Sequence, residues 1–400
     1  MVKANVSTPN KNHPRTTHRK SQPYFMNMTR TSSLIGTCFI GTLQGSLAFA
    51  DSPLGFIHSD NPSAYTIPAW DYEITLAGLA VNDTIDFLDV RKDLLAGTRK
   101  LVGDSGDLTG RRAEMHLGLT SYLSAFYRRQ EQDLKIELGS IASVNLLDID
   151  DGLSTTMTAY GLKWNFYEAG YSDNGNPWHA ASLELTRTSN KTKDYEGVID
   201  KLKVDANLSV SFITPETFRL QQMEDDGWEA RLLYSIPLGE KISTSFWAGY
   251  AENEATSGTG SSIVDSFLAP AFEQSFRTQE KHVLLGASVN WPITPRMPLQ
   301  LSYEYVRIND AELTADVNAL NSLLPSFLRG NNLNTAGTRD NHTLRGSLSY
   351  WVTPYAHISL IGKLYSNQFL GIIPHYNNPL SGSFAENPYG YAGIQIGISL

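Results

Sequence analysis

Apolar residues recur at every second position over long stretches of this chain, and the pattern is clearest at its end. Ala392, Ile394, Ile396, Ile398 and Leu400 share one face, while Tyr391, Gly393, Gln395, Gly397 and Ser399 share the other. Side chains of a β-strand point alternately to its two sides, so this is a strand with an apolar face and a small or polar face. The same alternation predicts strands over Trp228–Ile236 and from Ile242 to Tyr250, joined by Pro237-Leu238-Gly239-Glu240. It predicts a second pair from Val283 to Trp291 and from Leu299 to Tyr305, turning through Pro292–Pro298. A third pair runs from Leu344 to Tyr350 and from Ala356 to Leu364 around Thr353-Pro354. Proline falls in the turns, where no ladder donor is needed.

Earlier in the chain, Trp70–Val81 and Leu202–Phe212 alternate well, and a weaker strand is expected at Thr217–Met223. Thr156–Phe166 and Trp178–Thr188 form a hairpin around Ser172-Asp173-Asn174-Gly175. Between Tyr122 and Leu138 the alternation changes phase, which requires a turn or bulge there. Short turns alternate with long polar loops, from Ala251 to Glu280 and from Ile308 to Asp340. Three loop stretches, Thr84–Val102, Ile263–Phe276 and Leu313–Leu328, carry apolar residues at helical spacing and predict short helices.

Strands that are apolar on one side only, paired by short turns at one end and long loops at the other, describe an all-β transmembrane antiparallel barrel. The apolar face meets lipid and the other face a wet interior. Turns are then periplasmic and loops extracellular. Counting Thr217–Met223 gives 14 strands; dropping it and merging the ambiguous early strands gives 12. Six tryptophans (Trp70, Trp164, Trp178, Trp228, Trp291 and Trp351) sit at inferred strand ends, where headgroup girdles lie, and Trp247 alone sits mid-strand. No segment reaches the 18 or more uncharged apolar residues of a membrane helix.

The N-terminal region suits export. Residues 28–50 read as a signal peptide: Arg30, then a mild apolar stretch from Leu34 to Leu47, then Ala48-Phe49-Ala50 as the cleavage site. Residues 1–27 are expected to be an extension or a misassigned start, 51–69 a periplasmic segment that partly plugs the lumen, and 70–400 the barrel. The net charge is −9, and the first 50 residues hold six bases and no acid, so cleavage leaves −15. That balance speaks against nucleic acid as a partner. Cys38, the only cysteine, departs with the signal, which removes disulfides and thiolate metal sites from the mature chain.

The inward faces place ionisable residues where a pore would be lined: Glu73, Glu114, Lys203, Asp205, Glu229, Arg231, Glu304, Arg345 and Lys363. Asp71, His116, Glu184 and His357 fall on the same faces. Such charges set ion preference in a water-filled channel; in a narrow barrel they pair with one another and fill it. The histidines His179, His282, His342 and His375 lie near strand ends or in a loop, without a Gly-x-Ser-x-Gly elbow, a His-x-x-x-His pair or a phosphate-binding loop. No catalytic, cofactor or metal site is expected.

The architecture from Trp70 to Leu400 resembles bacterial porin-like outer-membrane proteins, and less closely the long-chain fatty-acid transporters. The resemblance is of layout, and the chain departs from it in ending Ile398-Ser399-Leu400 where the family ends in Phe or Trp. It also lacks the sizeable N-terminal hatch of the fatty-acid transporters. The resemblance implies a bacterial outer-membrane channel for passive diffusion of small polar solutes or ions. The alternatives are a transporter of hydrophobic compounds with a capture site at the loop helices, or a structural barrel with a blocked lumen. Implied partners are outer-membrane lipid and lipopolysaccharide, the barrel assembly machinery and small solutes, with homo-oligomerisation left open.

Overall fold

The computed structural model describes residues 57–59, 61–81, 108–134, 146–147, 153–171, 177–203, 209–238, 242–260, 275–313, 340–365 and 389–400. In chain order the strands are β1 (Tyr72–Val81), β2 (Leu108–Thr120), β3 (Leu123–Leu134), β4 (Leu146–Leu147), β5 (Leu153–Tyr171), β6 (Pro177–Thr192) and β7 (Tyr195–Lys203). They continue as β8 (Ser209–Leu238), β9 (Ile242–Gly260), β10 (Ser275–Thr294), β11 (Met297–Leu313), β12 (Asp340–Thr353), β13 (Ala356–Tyr365) and β14 (Tyr389–Ser399). All pair antiparallel into one sheet in the order β4-β7-β8-β6-β5-β3-β2-β1-β14-β13-β12-β11-β10-β9, and β8 also pairs with β9. That last pairing closes a ring, so the sheet has no free edge around the barrel.

The ring holds 12 strands, not 14. β7 is the continuation of β6: both lie antiparallel to β8, from Ala180↔Ser235 to Lys191↔Glu224 and then from Tyr195↔Leu220. β4 is a two-residue pairing on β7. The strand expected over Leu202–Phe212 is split between two elements, because Lys203 pairs with Ser209 across the hairpin. The separate strand expected at Thr217–Met223 is the first half of the 30-residue β8. Alternation alone cannot see either event, since a long strand and two short ones carry the same period.

Short connections, including Ser121-Tyr122, Pro295-Arg296 and Pro354-Tyr355, lie at one end of the barrel, beside the start of β1 and the end of β14. No turn or bulge interrupts β3 from Leu123 to Leu134, contrary to the break expected there; the turn comes before it, at Ser121-Tyr122, beside a bulge between Gly118 and Thr120. Strands at the other end run further than the alternation suggested: β9 reaches Gly260, and β10 begins at Ser275. The predicted loop helices fall almost wholly outside the described residues; Ser275 and Phe276 belong to β10 and Leu313 ends β11.

Ile394, Ile396 and Ile398 are exposed outward, as are Leu301, Leu344, Leu360, Leu285, Leu232 and Leu76. Their strand neighbours Gln395, Ser302, Thr343, Ser359, Ser288 and Thr75 are buried inside. An apolar exterior around a closed ladder is the solution lipid demands, because no backbone group is left unpaired in hydrocarbon. The chain is a bacterial outer-membrane type β-barrel. Trp291 faces outward near the end of β10, and Trp70 is 78% exposed just before β1; Trp164 and Trp228 also face outward but lie within β5 and β8 rather than at their ends. Trp351 does not join that girdle: it points inward and packs on His357, ring centroids 4.8 Å apart.

Candidate functional site

The lumen is occupied by the chain's own N-terminal segment. Residues 57–59 and 61–67 cross the interior in the half nearest the short turns, where side chains of β1, β6, β8, β10, β11 and β14 hold them. Gln300 of β11 donates to the Ile57 carbonyl at 3.0 Å. The amides of His58 and Ser59 donate to the two carboxylate oxygens of Glu73 at 2.9 and 3.1 Å. Gln395 of β14 donates to the Ser59 hydroxyl at 3.0 Å, and Ser288 of β10 to the Pro62 carbonyl at 2.9 Å.

Ala64 is held from both sides. Its amide donates to Ser235 Oγ on β8 at 2.8 Å, and its carbonyl accepts from Ser182 Oγ on β6. Ala64 and Tyr65 also pack on Ala180, Leu233 and Trp247 in an apolar cluster. Burial pushes the Tyr65 hydroxyl pKa up to about 12. The segment leaves the lumen over Gly118, where a β-carbon would overlap the Pro68 carbonyl. Trp70 then adopts φ 72°, a left-handed turn uncommon for any residue with a side chain, and the chain enters β1.

Charges line the wall as alternating partners. On one side Lys163 meets Glu184 at 3.4 Å. Arg231, directly across the ladder from Glu184, contacts Glu229 on its own strand and reaches Glu304 at 2.8 Å. Arg345 approaches the other oxygen of Glu304 at 3.4 Å, and Trp247 Nε1 donates to Glu304 at 3.0 Å. On the far wall Glu114 is held between Arg128 and Arg112, and Arg112 donates to Gln395 at 2.8 Å. Lys363 is paired with Arg345 across β12 and β13, and both line a small cavity of about 10 Å³ with Asn61, Gln300 and Tyr391.

Of the residues expected to line a pore, Glu73, Glu114, Glu229, Arg231, Glu304, Arg345 and Lys363 are thus on the inner wall. Lys203 ends β7, paired with Ser209 in the part of the β7–β8 hairpin that lies beyond the β8–β9 pairing. Asp205 lies outside the described residues. Glu73, Glu114 and Glu304 are buried at 2%, 2% and 1% exposure. Among the described residues, salt bridges and the crossing segment surround these charges. Sequence reasoning missed Ser182, Ser235, Ser288, Gln300 and Gln395, whose only signal is a small or polar side chain on the inward parity.

Toward the long loops the inner wall is mixed: Asp225, Glu280 and His282 are buried there beside apolar side chains. Met223, Ala251, Ala255, Leu284, Val306 and Ile308, from β8 to β11, are buried and point inward. Ala251, Leu284 and Val306 form one apolar cluster. Among the described residues no group of three or more His, Cys, Asp or Glu is arranged to hold a metal ion.

No family model and no curated protein matches this sequence. Solved structures similar to it include an outer membrane channel from Pseudomonas putida F1, at 10% identity and TM-score 0.43, covering 85% of this chain and 99% of that one. The toluene transporter TodX of Pseudomonas putida is similar at 10% identity and TM-score 0.36, over 85% of this chain and 94% of its own. The outer membrane protease OmpT from Escherichia coli is similar at 8% identity and TM-score 0.30, over 82% and 93%.

Proposed function

We propose that this protein is an outer-membrane transporter of small apolar compounds whose lumen is closed at rest by residues 57–67. The observation that carries the reading is a strip of apolar side chains on the inner wall between β8 and β11, from Met223, Leu284, Val306 and Ile308. It stands among the buried polar groups Asp225, Glu280 and His282. Nearer the short turns the wall is ion-paired and crossed by the N-terminal segment. An inward apolar strip is costly in a pore built for hydrated ions, because it offers no hydrogen bonds in exchange for lost hydration. It suits a solute that enters from the loops and leaves water behind.

Passive diffusion of ions or polar solutes is the second reading, and the inward charges Glu304, Arg231 and Arg345 favour it. Two measurements separate the readings. The full mature barrel in planar bilayers is expected to give no steady stepwise current, whereas intact cells that carry it take up a monoaromatic hydrocarbon faster than cells that lack it. Leu284→Asn is expected to slow that uptake without altering assembly. Stepwise currents from the unaltered barrel, with hydrocarbon uptake indifferent to Leu284→Asn, would overturn the proposal in favour of a diffusion channel. Silence in both assays would leave a structural barrel.

A further inference from the structure

The geometry points to a binding site for a phosphorylated glycolipid on the outside of the barrel, built by Arg111 of β2 and Arg129 of β3. Both side chains face outward, 80% and 52% exposed, and both are bound to the single carboxylate of Glu131. Arg111 Nε donates to Glu131 Oε2 at 2.6 Å, and Arg129 donates to Oε1 through Nε and Nη2 at 3.0 and 2.7 Å. Two guanidinium groups therefore share one negative charge, and the Nη1 donors of both lie outside these bonds. Asp133, further along β3, is held by Ser154.

Arg187, Lys191, Arg277 and Arg307 each lie against a different carboxylate, of Asp226, Glu224, Glu254 and Asp340. In the arginine pair two cations meet on one carboxylate.

Its height on the barrel selects the occupant. Immediately toward the short turns lies the outward row Met115, Tyr127 and Tyr160, each between 42% and 52% exposed. Such a row belongs to acyl chains and their interface. The guanidinium pair stands directly above it, on the long-loop side, where the sugar phosphates of an outer-leaflet glycolipid begin. Planar guanidinium forks bind phosphate oxygens in pairs, with a geometry a water shell does not offer. The lipid's chains would pack on the tyrosine row while a phosphate bridges the two arginines beside Glu131.

The test is binding of fluorescent bisphosphorylated lipid A to the full barrel in detergent micelles, with heat-modifiable gel migration confirming that each variant is folded. Arg111→Ala/Arg129→Ala is expected to weaken binding by about tenfold or more, as loss of a bidentate phosphate contact does. Should that pair of changes prevent folding, Arg111→Lys/Arg129→Lys carries the test: it keeps the charge, loses the forks and is expected to bind measurably less well. Unchanged affinity in the folded variant overturns the site. So does equal binding of the dephosphorylated glycolipid. Displacement by millimolar inorganic phosphate alone would show a free-anion site and overturn the assignment to a lipid.

Discussion

The indole of Trp247 on β9 lies across Gly286 of β10, so close that a β-carbon at 286 would overlap the ring. Gly286 has no side chain to lift it away, so Trp247 spans one whole strand and hydrogen-bonds Glu304 on the next. The mid-strand tryptophan that fits no headgroup girdle is thereby explained: it is a lumenal brace. Gly286→Ala is expected to displace the ring and destabilise the barrel by about 1–3 kcal/mol, the usual range for overpacking a filled interior. Urea unfolding in detergent, followed by tryptophan emission, measures it; an unaltered midpoint and emission maximum would show that the indole has room to move.

Glu304 holds Arg231, Arg345 and Trp247 from a buried position. Glu304→Gln keeps the shape and the tryptophan acceptor but removes the charge between two arginines. Leaving buried cations short of a counterion is expensive, so a loss of about 3 kcal/mol is expected. Arg345→Ala removes a longer contact at a more exposed side chain and is expected to cost about 1 kcal/mol. Equal losses for the two variants in unfolding titrations would show that Glu304 is not the hub of this network.

The barrel was legible because lipid and lumen impose opposite chemistry on neighbouring side chains. Ile394, Ile396 and Ile398 against Gln395 and Gly397 state it in five residues. Proline-marked turns fixed the later hairpins for the same reason that proline cannot serve a ladder. Strand number was harder, since β6, β7 and β8 keep one period through a hairpin whose arms outrun the ring. The charges Glu114, Arg231 and Glu304 were visible as inward residues. Which cation meets which carboxylate was not, because partners such as Arg231 and Glu304 are 73 positions apart in sequence and meet only when the ring closes. Nothing in Ser182, Ser235 or Ser288 distinguishes a serine that grips a crossing segment from one that merely faces water.

If residues 57–67 close the lumen, weakening their grip opens it. Ser182→Ala/Ser235→Ala removes both hydroxyls from Ala64, leaving its amide and carbonyl without these partners. Each buried bond contributes about 1 kcal/mol, so the population with the segment undocked is expected to rise by about tenfold or more. Bilayer recordings of the double variant are expected to show openings that the parent lacks. A variant as silent as the parent, yet correctly folded, would place the seal elsewhere.

Acid is expected to act on the same segment through His58. Although part of its surface remains accessible, it sits within the barrel, and burial lowers its pKa well below 6.5, with Lys163 and His116 adding to the effect. A released segment would titrate near the ordinary 6.5, so below that pH the undocked state binds the extra proton. The contribution of neutral His58 to docking is therefore complete above pH 6.5 and is lost as pH falls toward the depressed value. Channel openings are expected to become more frequent on acidification from pH 7.5 to about 5. His58→Gln, which carries no titrating group, is expected to flatten that dependence. A parent and a variant with the same pH profile would assign the acid response, or its absence, to other groups.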